Sequence, residues 1–157
     1  MFRKMRRHAQ QMDAACAIEV IKRNNSGILT VNGDGGYPYP VAMNHAWMDG
    51  KIYLHCSNVG HKTDAIRRDE KVCFIVVDKD DVISEKLTTA YRSVVVFGKA
   101  RVIEDKAEIL PIIRRFAEKF SSDQAAIQKD IDENMKFLVM IEITPEHITG
   151  KEGKALI

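Results

Sequence analysis

The run Tyr53-Leu54-His55-Cys56-Ser57-Asn58-Val59-Gly60-His61-Lys62 gathers imidazoles, a thiol, a hydroxyl and an ammonium group in one short stretch. Alternation along a strand puts Ile52, Leu54 and Cys56 on one face and Tyr53, His55 and Ser57 on the other. The apolar set can then fill a core while the polar set faces a cleft. The run opens into a short helix, His61 to Arg68, where free amides, the positive end of the helix dipole and Lys62 would all favour a phosphate. A surface strand followed by a basic helix start fits the same residues. His55 could tune protonation beside a ligand or serve as a hydrogen-bonded structural histidine.

A second stretch, Tyr91 to Val102, has a Val-rich centre that reads as core. Arg92 and Ser93 at its entrance offer a guanidinium fork and a hydroxyl to an anion. An ordinary surface ion pair accounts for Arg92 equally well. Between Pro40 and Asn44, the backbone of Val41, Ala42 and Met43 and the Asn44 amide could meet a planar heterocycle, and plain strand pairing explains them too. His55 and Cys56 adjoin and His61 follows, but neighbours on a strand point to opposite faces, so no metal site is expected.

Short strands must position these groups. Asp13 can cap a first helix over 13–24, with Ala14, Ala17, Ile18 and Ile21 at helical spacing and Asn24, Asn25 and Gly27 ending it. Ile28 to Val31 is a β-branched run, and Asn32-Gly33-Asp34-Gly35-Gly36 can adopt the positive φ of tight turns. Pro38 and Pro40 confine the next strand to an edge or an irregular entry; Val41 to Trp47 extends from it, and Asp49-Gly50 turns the chain into Lys51 to Ser57. Val72 to Val77 and Tyr91 to Ile103 follow as strands, with Gly98 marking a bend or bulge. Asp105 and Glu108 mark a helix start before the stripe Ile109, Ile112, Ile113, Phe116 and Phe120, and a further amphipathic segment covers Ser122 to Met135. Lys136 to Ile143 reads as a last strand, ended by Pro145. About six strands with helices at the margins predict a mainly β antiparallel barrel rather than a parallel βαβ sheet.

The chain of 157 residues, 45% of them hydrophobic, can bury one core without disulfide or metal staples, as a single domain over 1–157. A basic segment over 1–12, with Arg3, Lys4, Arg6 and Arg7, lacks the apolar stretch of an export signal. A net charge of +2 is too balanced for a dedicated nucleic-acid surface. Apolar runs such as Cys73 to Val77 are too short to cross a bilayer. Cys16, Cys56 and Cys73 form an odd set without CxxC spacing, which fits a reducing cytoplasm.

Gly-Tyr-Pro at 36–38, the Asp-Gly-Lys-Ile-Tyr-Leu-His-Cys run from Asp49, Gly-His-Lys at 60–62, the Tyr-Arg-Ser-Val-Val-Val-Phe-Gly run from Tyr91 and Thr149-Gly150-Lys151 stand in this order. Together they resemble the pyridoxamine 5′-phosphate oxidase-like flavoproteins, above all their nitroimidazole-resistance (Nim) branch, over roughly Ser26 to Lys151. The resemblance implies a split β-barrel over 26–151, with inserted helices, and a homodimer holding FMN at the subunit interface. It places Lys62 and Ser57 near the FMN phosphate and ribityl chain, with His61 and Cys56 beside them. Arg92 and Ser93 would come from the second subunit, His55 would lie near flavin and substrate, and Val41 to Asn44 would line the isoalloxazine ring. The fuller Arg and His set that holds the substrate phosphate in true pyridoxamine phosphate oxidases is missing, so vitamin B6 oxidation is not implied.

Two functions follow as expectations. One is an FMN-dependent oxidoreductase, with His55 as its catalytic residue, that reduces nitroaromatic or quinone-like acceptors. The alternative is a flavin- or haem-binding split barrel without turnover.

Overall fold

A computed structural model describes residues 1–157. The Cys16 amide donates to Asp13 Oδ1 at 2.8 Å, capping α1 (Ala14–Arg23) as its sequence requires. Seven strands follow: β1 (Ser26–Asn32), β2 (Pro38–Asn44), β3 (Ala46–Met48), β4 (Lys51–Ser57), β5 (Lys71–Ile83), β6 (Thr88–Ile103) and β7 (Leu138–Glu152). Three more helices interrupt them: α2 (His61–Arg68), α3 (Lys106–Glu118) and α4 (Gln124–Asn134).

All strands belong to one antiparallel sheet in the order β2-β1-β5-β6-β7-β4-β3. Its outermost members, β2 and β3, are consecutive in the chain with only His45 between them. The sheet therefore has to curl until its two edges nearly meet, which makes a split barrel with its seam at His45. The sequence reading carries one strand through Val41 to Trp47. The structure breaks it at His45, whose amide donates to Asn25 O at 3.1 Å while the chain passes from one edge to the other. Pro38 and Pro40 lie on the edge strand β2, where a missing N–H costs no ladder bond.

A further difference is β7, which runs through Pro145 to Glu152 instead of ending before it, and β5 and β6 likewise extend past the expected Val77 and Tyr91, to Ile83 and Thr88. Gly98 pairs with Pro145 and Phe97 with His147, so Glu146 is an extra residue in a bulge, and the proline sits where the ladder is already interrupted. A second bulge, between Val77 and Lys79 on β5, frees Asp78 from the ladder. Beyond Arg92, β6 pairs with β5 alone, as a two-stranded arm whose tip carries Leu87 at φ 47°.

Two apolar cores use the two faces of this sheet. The concave face buries Leu29, Ile52, Leu54, Phe74, Val94, Val96, Ile141 and Ile143 with Ala17, Val20 and Ile21 of α1 and Ala65 and Ile66 of α2. On the opposite face, Tyr53, Ile103 and Met140 meet Ile109, Ile113 and Phe116 of α3 and Ile127 and Ile131 of α4. This second layer is what gives β4 a walled outer side.

Candidate functional site

Asp49 (φ 53°) and Gly50 (φ 77°) form the tight turn that launches β4, and the strand keeps the predicted alternation. Ile52 and Leu54 are buried in the concave core, and Cys56 packs against it, its thiol pushed up by burial. Tyr53 departs from expectation. It faces outward, but α3 covers it, and its hydroxyl donates to Glu142 Oε2 at 2.9 Å instead of lining a cleft. Lys51 Nζ at 3.0 Å and Arg101 Nε at 2.8 Å share the same buried carboxylate. Burial alone would raise the Glu142 carboxyl; the hydrogen bonds from Arg101, Lys51 and Tyr53 outweigh it and hold it down at about 2.

His55, the next outward residue, opens on a cleft. Its ring meets the edge of Phe116 at 5.1 Å. The cleft, of about 370 Å³, is lined by Asn44, His55, Ile113, Phe116, Phe120 and Ile127, with Ser121, Asp130 and Leu138 also on its walls. An adjoining hollow of about 350 Å³ shares His55, Asp130 and Leu138 and continues to Cys56, Ser57, Asn134 and Phe137. Burial lowers the His55 imidazole's affinity for a proton, and the charge of Asp130 opposes that. Neutral imidazole can donate from one nitrogen and accept at the other.

The strand ends at exposed Ser57, and the chain enters α2 through Gly60 at φ 134°, a backbone conformation that side chains disfavour. The other three α-helices are each capped by an aspartate side chain, Asp13, Asp105 or Asp123. At α2 no side chain caps the first turn, so its leading amides lack the partner that the other helices supply. Lys62 makes no ion pair within the chain; the salt bridges of this helix belong to Asp64, Arg67 and Arg68. His61 is committed to the fold instead, stacked on Tyr39 at 4.1 Å with Nε2 accepting from the Asp34 amide at 3.0 Å. Open amides, the exposed hydroxyl of Ser57 and an unpaired ammonium make a donor set suited to a phosphate monoester.

On β2 the side chains of Val41 and Met43 pack toward the concave core, whereas Ala42 and Asn44 face outward. Val41 and Met43 can therefore offer a ligand only backbone groups, which an edge strand leaves free at every second residue. Asn44 joins His55 in the cleft, its amide nitrogen held by Asn25 O at 3.1 Å. Arg92 and Ser93 are not brought to this site within one chain. Arg92 lies some ten residues along β6 from the level of His55, on the order of 30 Å. Its guanidinium pairs with Glu152 at 2.9 Å and Asp78 at 3.3 Å beside α1, and Ser93, the next residue, points to the opposite face.

Sequence reasoning missed Asp130 and the fully buried His45. Asp130 lies on the polar side of an amphipathic helix and gives no signal there. His45 closes the seam: its Nε2 bonds Ile21 O at 2.7 Å, Lys119 Nζ donates to its carbonyl at 2.8 Å, and Nδ1 is left without a partner. Desolvation drops its imidazole to about 4. No group of His, Cys, Asp and Glu residues is arranged to hold a metal. No helix is long and apolar enough to cross a membrane.

Several solved structures share the fold. A candidate 5-nitroimidazole antibiotic resistance protein of Bacteroides thetaiotaomicron superposes with a TM-score of 0.74 at 20% identity, covering 90% of this chain and 86% of that one. An FAD-binding protein of Mesorhizobium loti gives 0.66 at 21%, over 92% and 97%. An FAD- and haem-binding protein of Mycobacterium smegmatis gives 0.77 at 13%, over 92% and 74%. A search of curated proteins returns no match. A family model described as pyridoxamine 5′-phosphate oxidase matches residues 13–152, from the cap of α1 to the end of β7. Spanning both cores and the whole of the candidate site, that match means that the chain belongs to the pyridoxamine 5′-phosphate oxidase family.

Proposed function

We propose that this protein is a homodimeric FMN-binding flavoprotein that works as an oxidoreductase on nitroaromatic or quinone-like acceptors. The observation that carries the reading is the uncapped first turn of α2 with unpaired Lys62, set at the end of the strand whose His55 opens on an aromatic cleft. Lys62, Ser57 and the first amides of α2 would hold the FMN phosphate. The outward backbone of β2 and the Asn44 amide would meet the ring edge. Structural relatives described as FAD-binding and as a 5-nitroimidazole antibiotic resistance protein support a flavin and a nitroaromatic acceptor, FMN being the flavin that the resemblance of the sequence motifs implies.

Bound FMN would supply the electron or hydride transfer itself. The chain's own part is to position and to exclude. Phe116, Phe120, Ile113 and Leu138 keep water from a flat acceptor, and His55 offers it a hydrogen bond. No nucleophile is needed for that chemistry.

Dimerisation is supported by the outer face of β1, β5 and β6, where Ile28 (38% exposed), Val77 (54%) and Phe97 (42%, stacked on Phe2) stay partly exposed beside half-buried Ile75 and Val95. Ser93 lies on that face and would reach a second subunit's ligand directly. Arg92 would do so only by giving up Glu152 and Asp78. The free cysteines Cys16, Cys56 and Cys73 support a reducing compartment such as the cytoplasm.

The test is the absorbance of purified protein between about 350 and 500 nm, with mass identification of the released cofactor. Flavin bands with FMN near one per chain are expected. Released FAD would overturn the choice of FMN, a haem band the flavin-only site, and a colourless protein that refuses added FMN the whole reading.

A further inference from the structure

The two hollows around His55 are walled almost entirely by apolar and neutral polar groups, and Asp130 is the one residue among their linings that carries a formal charge when His55 is neutral. Asn134 Nδ2, one helical turn along α4, donates to Asp130 Oδ1 at 2.9 Å, and Oδ2 has no partner in the chain. Lys62 and Arg67 act on Cys56, at the far end of the second hollow, and at the His55 end three ammonium groups come near without entering. Lys106 is spent on Leu138 O at 2.6 Å, Lys119 on His45 O at 2.8 Å, and Lys136 rests over the Phe137 ring at 4.6 Å. The electrostatic influence of Asp130 reaches His55, opposing the effect of burial there. An anionic group entering the cleft would meet a carboxylate with no compensating cation, and a cationic one would meet a carboxylate with a free oxygen.

We propose that Asp130 sets the charge selectivity of the cleft between His55 and Phe116, which takes a flat aromatic acceptor bearing an ammonium-type substituent and turns away acceptors that carry a carboxylate or a phosphate, while the FMN phosphate stays at the Ser57 and Lys62 end. The inference rests on the cleft being the acceptor's place. The ring would lie against Phe116 and Phe120, whose centroids are 5.2 Å apart, with its substituent directed across His55 to Asp130. This also accounts for the missing Arg and His set: a cleft that carries a carboxylate has no use for a phosphate-binding cluster.

The experiment is an NMR titration of the purified protein, with whatever cofactor it carries, against para-nitrobenzylamine, para-nitrobenzyl alcohol and para-nitrobenzoate, following the His55 ring. The amine should bind about tenfold or more tightly than the benzoate, and Asp130→Asn should bring the two within about twofold while leaving the alcohol unchanged. Equal affinities in the wild type, or discrimination that persists in Asp130→Asn, would overturn the proposal, as would failure of all three probes to shift His55. The flavin spectrum of the same sample reports separately. A colourless protein that refuses added FMN yet discriminates sinks the flavoprotein reading alone, and a flavin-loaded protein that does not discriminate sinks the role of Asp130 alone.

Discussion

Ile52 and Leu54 on one face of β4 meet only hydrocarbon, whereas Tyr53 and His55 on the other meet a buried carboxylate, an aromatic edge and an open cleft. The concave core is held by shape and area, so its members are exchangeable in kind but intolerant of lost volume. The outer layer has to satisfy polar groups one by one, and its gaps, at His55 and at the first turn of α2, are where a ligand can be accommodated. One strand thus carries scaffold and site on alternate residues.

Leu54→Ala should cost about 3 kcal/mol by leaving a cavity in the concave core, read as a shift in denaturant midpoint, while flavin affinity per folded molecule stays the same. A loss below about 1 kcal/mol would mean that this core is loosely packed.

On the outer face, Glu142→Gln should cost about 2 kcal/mol, since it leaves Arg101, Lys51 and Tyr53 without their shared carboxylate. The same group governs acid stability. Its folded value of about 2 lies below the ordinary 4.5, so the unfolded chain takes up the proton first. The stabilisation is present above about pH 4.5 and is lost as pH falls toward 2. The variant should flatten that window, with a residual slope from Asp78, also held at about 2, chiefly by Arg23. An earlier loss, from pH 6.5 down to about 4, belongs to His45, which the unfolded chain protonates more readily than the folded one. Urea midpoints measured across this range check both, and a profile identical in Glu142→Gln and wild type would remove the carboxylate from the account.

At the site, Lys62→Ala should weaken FMN binding about tenfold, roughly 1.5 kcal/mol for one charge-assisted contact. Arg92→Ala should weaken it less, because Arg92 is already paired within its own chain. Fluorescence titration of apoprotein reads both, and the reverse order would move the phosphate to the β6 end of the sheet. His55→Ala should leave flavin content unchanged and lower turnover with a nitroaromatic acceptor; wild-type rates in that variant would make His55 structural.

Residues whose role follows from local chemistry were legible in the sequence. Asp13 and Asp105 as caps, the Asp49-Gly50 turn, β4 and α2 to the residue, and the bulge at Gly98 all stand where the pattern puts them. What depends on distant partners was not. The break at His45 arises because two sheet edges meet there, and strand alternation is blind to that. Pro145 looks like a terminator until the bulge opposite Gly98 is known. Tyr53 reads as a cleft residue because nothing local announces that α3 will cover it or that Glu142, paired opposite it on β7 but distant in sequence, will accept its hydrogen bond. The cleft itself is built by α3, α4 and the turn between them, where Phe116 and Phe120 read as core; Phe116 is buried there and Phe120 is exposed on the cleft wall.

The two-stranded arm beyond Arg92 offers an experimental handle. Leu87 at its tip is 96% exposed, and no third strand supports the pairing between Val82 and Thr89. A ribbon of that kind is only marginally stable by itself and opens without disturbing the barrel behind it. Its amides should exchange with solvent far ahead of those in the middle of β6, and an epitope inserted between Ser84 and Leu87 should change the melting temperature very little. The arm is thus a place to immobilise or label the protein, at the far end of β6 from the His55 cleft.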